Sequence, residues 1–292
     1  MQQAALWNDT TRIVNVASVP QRSPFRYPGG KTWLVPRIRQ WLTSLPYQPA
    51  EFIEPFAGGA IIGLTVAAEG MADHVTLVEL DEAVAAVWQT ILHDDGGGEW
   101  LAEQIVRFHL TPESAQTVSQ QTPQSTRERA FQTIIKNRVN RGGILAPGAG
   151  RIKVGENGKG LLSRWYPETL QRRILDIVKI RERITFVYGD GLDVLRENAE
   201  RDNASFFIDP PYTASGKQAG SRLYSRPNLD HERLFAIADL LAGDFLMTYD
   251  DAEEMRQLAH LHRFDLQTIA MKNTHHAKMT ELLIGRTLNW IR

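Results

Sequence analysis

Asp209, Pro210, Pro211 and Tyr212 follow directly on the apolar run Phe206-Phe207-Ile208. An apolar run that stops in this way reads as a buried strand whose C-terminal tip carries polar chemistry. The residue before a proline is pushed into extended backbone, and proline itself has no N–H, so the turn is stiff. It presents acceptors only, the Asp209 carboxylate and the Pro210 carbonyl. The natural complement is an exocyclic amino group, which brings two N–H donors. Its nitrogen lone pair is delocalised into the ring and is a poor nucleophile. Two fixed acceptors draw that nitrogen towards tetrahedral geometry and aim the lone pair at an electrophile, which is catalysis by positioning and electrostatics. Tyr212 supplies a face on which a flat base can stack.

Three other strand tips carry candidate groups. In "EPFAGGA", Gly58 and Gly59 allow a tight turn into a helix and close backbone approach to a ligand. Glu79 stands at the end of "HVTLVE" about 20 residues after those glycines, where a Rossmann-like site places a carboxylate to accept from two ribose hydroxyls. Asp190, in "VYGDGLDVL", either accepts from an adenine amino group or caps the next helix. "GGKT" does not complete a phosphate-binding P-loop, because Phe25 stands where the first glycine is required. His260, His262, His275 and His276 lack the spacing of a metal shell, and no metal is expected.

These tips need a sheet to hold them. Strand, tip and helix succeed one another twice between about 51 and 92, and again from about 184, the pattern of a parallel α/β sheet; "FDLQTIAM" and "ELLIGRTL" read as closing strands that give it an antiparallel edge. Between them, residues 99–138 read as helical with Thr111 as an N-cap, residues 140–160 hold seven glycines and suit a hairpin or loop, and "YPETLQRRILDIVKIRERI" reads as an amphipathic helix. The expected organisation is an N-terminal arm (1–22), a catalytic domain (23–98 and 184–292) and an insert (99–183).

The chain has 292 residues, a net charge of −1 and no cysteine, which removes disulfides, thiolate metal sites and cysteine nucleophiles together. It lacks an apolar run long enough to span a membrane and a secretory leader, so a cytoplasmic protein is expected. The charge is unevenly placed. Residues 121–185 carry +9, while the segments before and after carry −6 and −4. A local basic segment between acidic flanks is the pattern of a surface that meets a polyanion.

With these features assembled, the sequence resembles the Dam-like, D12-class N6-adenine DNA methyltransferases over roughly residues 23–286. "DPPY" is similar to the family's catalytic motif, "FAGGA" to its glycine motif with Ala60 in place of the last glycine, and "RYPGGK" to its N-terminal motif. The resemblance implies a Rossmann-like methyltransferase fold and S-adenosylmethionine as methyl donor. That cofactor would be bound by Tyr27, Lys31, Phe56, Gly58, Gly59, Glu79, Asp190 and Asp209. It implies Asp209, Pro210, Pro211 and Tyr212 as the catalytic tip. Double-stranded DNA is the implied partner, met by Asn137, Arg138, Asn140, Arg141, Arg151 and Lys153 of the basic insert. Reaching N6 requires the adenine to be swung out of the duplex, and phosphate contacts on such an insert would offset the unstacking. Two other readings stay open: an amino-methyltransferase acting on RNA or a protein amide, and an inactive DNA-binding relative.

Overall fold

The computed structural model describes residues 16–27, 29–211, 229–272 and 278–291. Tyr212, His275, His276 and residues 1–15 of the expected arm lie outside them.

Seven strands form one mixed sheet in the order β3-β2-β1-β4-β5-β7-β6. The strands are β1 (Glu51–Glu54), β2 (His74–Glu79), β3 (Ile184–Tyr188), β4 (Ala204–Ile208), β5 (Asp244–Asp250), β6 (Asp265–Lys272) and β7 (Lys278–Gly285). The first five are mutually parallel, and β7 runs antiparallel to both β5 and β6. The expected α/β architecture with an antiparallel edge is therefore present. Because β2 and β4 lie on opposite sides of β1, the winding direction reverses between β1 and β4, and the C-terminal ends of strands at such a reversal open a crevice.

The central strands are apolar without interruption because both faces are covered. Side chains alternate between the faces. Phe52, Leu77, Phe207 and Leu246 enter one core, and Ile53, Val78, Phe206, Ile208 and Met247 enter the other. The first face is covered by α1 (Val35–Ser44), α2 (Ile61–Glu69) and α3 (Glu82–Leu92), the second by α8 (Gly191–Glu197), α9 (His231–Leu240) and α10 (Glu253–Leu261). Each fully buried Phe or Ile of β4 contributes about 1.5–3 kcal/mol, so this strand is firmly held up to its tip.

Residues between α3 and β3 form α4 (Gly97–Arg107), α5 (Pro112–Gln120), α6 (Thr126–Val139) and α7 (Pro167–Val178). Thr111 caps α5 in a capping box with Ser114. These helices share a core with the sheet: Leu101, Ile105, Ile134, Leu170 and Ile174 pack in the same cluster as Phe52 and Trp88. The glycine-rich stretch is closed at its base by an antiparallel bridge between Asn140 and Arg151 rather than by a regular hairpin ladder.

Candidate active site at the strand tips

A cavity of about 1230 Å³ opens at the β1–β4 reversal and is lined by Tyr27, Lys31, Phe56, Gly58, Gly59, Glu79, Asp190, Asp209 and Pro211. Every residue expected at the cofactor end of the site thus stands on one wall system, although these residues span 182 positions of the sequence, from 27 to 209.

At the β4 tip, Asp209 Oδ1 accepts from the Thr248 hydroxyl at 2.7 Å and faces the Lys31 ammonium at 2.9 Å. Thr248 lies on β5, beside β4, so the neighbouring strand fixes this carboxylate. Lys31 is 3% exposed, donates to the Gly29 carbonyl at 3.0 Å, and stands 3.6 Å from Glu281 Oε2. Glu281 is itself buried on β7, and burial pushes its carboxyl up to about 7 although Lys31 pulls the other way. Glu54, at the β1 tip, accepts from the Gly63 N–H at 2.8 Å, and burial raises its carboxyl well above the usual range. Tyr249, buried one residue beyond Thr248, holds His231 Nδ1 at 3.0 Å. The lysine is thus set between the carboxylates of Asp209 after β4 and Glu281 on β7 rather than standing alone in the cavity.

The glycine turn at the β1 tip is built around Tyr27. A Cβ at Gly58 would lie 2.6 Å from Tyr27 Cε1, and one at Gly59 would lie 3.0 Å from Tyr27 Cβ. Gly58 also has φ +46°, and the Trp88 indole donates to its carbonyl at 2.9 Å. Ala60 adopts φ 51°, left-handed backbone that costs an L-residue about 1–2 kcal/mol. Below the turn, Glu79 accepts three backbone N–H groups, from Gly58 at 2.9 Å and from Leu80 and Asp81 at 2.8 Å. A carboxylate has about four acceptor positions, so one remains for a ligand, not the two that ribose recognition by this residue alone requires. Burial pushes Glu79 up to about 7 against the pull of those three bonds. Asp190 accepts from Leu192 N at 2.8 Å and so caps α8, while also lining the cavity.

Residues 27–123 match the family described as D12 class N6 adenine-specific DNA methyltransferase. The D12-class match covers about a third of the chain, and takes in Tyr27, Lys31, the glycine turn and Glu79. It ends before the basic loop and Asp209. No curated protein matches the chain. Among solved structures, the rRNA methyltransferase AviRa from Streptomyces viridochromogenes is 12% identical, with 89% of this chain and 86% of that one covered at a TM-score of 0.38. The B. subtilis tRNA methyltransferase TrmK is 10% identical, covering 87% and 66% at 0.36. The methyltransferase domain of a bacterial CtHen1 is 9% identical, covering 87% and 97% at 0.38.

Beyond the D12-class segment, the expected nucleic-acid contacts divide into two groups. Asn137 is fully buried, accepts from Arg26 N at 2.9 Å, and donates to the carbonyls of Arg26 at 2.9 Å and Gly143 at 2.7 Å. Arg138 is 4% exposed and donates to the Pro24 carbonyl. Neither presents itself at the outer surface; their hydrogen bonds tie the 23–27 segment to α6. The reason is helical period, which turns both towards the core. Asn140 is half-buried and donates to Ile144 O at 2.8 Å. Arg141 and Lys153 are exposed and Arg151 is partly so, flanking the closed base of the loop.

Sequence reasoning missed Glu54, Thr248 and Glu281. Each is a buried polar residue beside apolar ones in its strand, at the end of "EFIE", in "DFLMTYD" and in "KMTELLIG". That pattern marks a buried group with a partner, but does not say which one. Among the described residues, no helix is long and apolar enough to cross a membrane, and no group of His, Asp and Glu could hold a metal ion.

Proposed function

We propose that this chain transfers a methyl group from S-adenosylmethionine to the N6 amino group of an adenine swung out of duplex DNA. The observation that carries this reading is the placement of Asp209. Its carboxylate is fixed by Thr248 and Lys31 at the mouth of a cavity whose other wall is the glycine turn of the D12-class segment.

The residues present fit the cofactor. Gly58 and Gly59 keep the turn free of side chains, Tyr27 packs closely against them, and Glu79 retains one acceptor position for a ribose hydroxyl. When bound, the cofactor supplies a methyl group on a positively charged sulfur, activated without any metal. Asp209 and the Pro210 carbonyl accept the two amino hydrogens, which localises the nitrogen lone pair. Lys31 and Thr248 keep the Asp209 carboxylate oriented as an acceptor, since both donate to the oxygen that does not need to face the base. Holding the amino group in line is then the chain's main contribution to rate. Arg141, Arg151 and Lys153 would grip phosphates while the base is extruded, making affinity steeply salt-dependent.

Labelled methyl transfer to a library of duplexes tests the reading. Wild type should label adenine N6. Asp209→Asn, which swaps an acceptor oxygen for an N–H donor at nearly constant shape, should lower the rate by at least about a hundredfold, the scale of losing one preorganised electrostatic contact. Duplex binding should be kept. Full transfer by the variant would refute the role of Asp209, and transfer by wild type to RNA or protein but to no duplex would replace DNA as substrate.

A further inference from the structure

A second cavity, of about 190 Å³, lies beside the first and is lined by Arg26, Arg138, Arg164, Tyr166, Thr169 and Arg173. Four guanidinium groups share this small space. Arg138 is 4% exposed, and its Nε has no hydrogen-bond partner. Burial and then the neighbouring charges of Arg173, Arg26 and Arg164 all act to drive its proton off, lowering it to about 9, and no carboxylate acts in the other direction. A buried guanidinium held among like charges is costly unless an anion completes the set.

The same cavity faces the start of α7. Its N-cap, Tyr166, makes no side-chain cap, and Pro167 occupies the first turn, so the next N–H groups and the positive end of the helix dipole point at the space beside Thr169. Arg173, on the same helix, uses one nitrogen on the Ser23 carbonyl at 3.0 Å and keeps other N–H groups. Arg26 and Arg173 line both this cavity and the large one. An anion here would therefore sit next to whatever occupies the catalytic cavity. The space can hold a tetrahedral oxyanion, and its arginine lining selects for one.

We infer that this arginine pocket binds a backbone phosphate of the nucleic acid, flanking the extruded nucleotide and clamped between Arg138, Arg164, Arg173 and the N-terminus of α7. This assignment rests on the proposed DNA substrate. It gives the buried Arg138 an anionic partner, and it would tie extrusion of the base to a fixed point on the strand.

Two measurements on the full chain test it. In thermal melts at constant ionic strength, inorganic phosphate should raise the melting temperature of wild type and leave that of Arg164→Gln unmoved. Thr169→Glu, which puts a carboxylate into the cavity, should raise the melting temperature without phosphate and abolish the phosphate increment. In binding assays, a single neutral methylphosphonate linkage is moved along a duplex. One linkage should weaken wild-type binding by about tenfold or more, the scale of a lost charge-assisted hydrogen bond, and Arg164→Gln should be indifferent to that same linkage. The variant should also flatten the plot of log affinity against log salt by about 0.9. A wild type unmoved by phosphate overturns the proposal, as does a phosphate shift in both variants as large as that of wild type. Duplex binding with no linkage that distinguishes wild type from variant overturns it while leaving the DNA substrate standing. A wild type that binds no duplex takes down the substrate reading, and this assignment with it, whatever phosphate does.

Discussion

Replacing Lys31 with methionine should destabilise the fold by an amount that grows with pH. Lys31 is 3% exposed, its ammonium lies 2.9 Å from Asp209 and 3.6 Å from Glu281, and methionine fills much of the same volume without the charge. Removing one partner from a buried ion pair costs about 3–5 kcal/mol, and the partial exposure of Asp209 places this case near the lower figure. The pH dependence comes from Glu281. Its carboxyl stands at about 7 in the fold against an ordinary 4.5, so the folded state holds the proton more tightly than the unfolded one. Stability contributed by such a group falls as pH rises from about 4.5 to about 7. Lys31 lowers the Glu281 value, so its loss carries that value above 7 and extends the falling limb to higher pH. Each further unit adds about 1.4 kcal/mol to the loss at pH values above it. Urea unfolding of wild type and Lys31→Met at about pH 5.5 and about pH 8.5 should therefore give a clearly larger difference at the higher pH. In a Glu281→Gln background the pH-dependent part should vanish. A loss of equal size at both pH values, or one unchanged by Glu281→Gln, would refute the coupling of these two groups.

The glycine turn and the basic segment give further tests. Gly58→Ala should cost about 1–3 kcal/mol, because the new Cβ meets Tyr27 at 2.6 Å and the backbone is left-handed; Tyr27→Ala in the same chain should recover part of it in a denaturant melt. If a ribose hydroxyl takes the remaining position on Glu79, binding favours the ionised carboxylate over a free form that titrates at about 7. Cofactor affinity should then be full above about pH 7 and weaken as pH falls below it, with proton release near pH 6.5 seen by calorimetry in two buffers; pH-independent affinity would remove Glu79 from the cofactor site. Asn137→Ala should destabilise the chain by about 2–4 kcal/mol through three lost buried hydrogen bonds, yet leave the salt dependence of DNA binding unchanged. Joint neutralisation of Arg141 and Lys153 should do the reverse, with little loss of stability and a salt slope smaller by about 2.

The strand tips were legible because their signals are local. An unbroken apolar run means a strand covered on both faces, and β4 is that strand, ending where Asp209 begins. The glycine turn, Glu79 and Asp190 each follow a strand in the same way, and the winding reversal between β1 and β4 then brings together tips about 150 residues apart in the chain. What sequence could not deliver was partnership. Lys31 precedes Asp209 by 178 positions and Glu281 by 250, and nothing short of the sheet order says that β7 lies next to β5 or that Thr248 faces the β4 tip. The basic segment shows the opposite failure. Its charge count was visible, but the count does not separate arginines that face solvent from those turned inward, and Arg138 and Arg141, three residues apart, end in opposite environments.

That division has a physical consequence for how the site works. A surface arginine meets a polyanion through water, and its contribution is screened away by salt. A buried arginine keeps most of its field, but only an anion that can enter the fold benefits. With duplex DNA as the proposed substrate, the exposed Arg141 and Lys153 would draw a strand towards the cavity, and the enclosed Arg138 would accept a phosphate only once that strand is seated beside the tip of β4. On that ordering, raising the salt concentration should slow association of DNA far more than it speeds dissociation of the seated complex. Arg164→Gln should act mainly on dissociation, since the enclosed pocket is reached only after docking. Rapid-mixing measurements of both rates across a salt series separate the stages. An Arg164→Gln effect confined to the association rate would show that the pocket belongs to the outer surface after all.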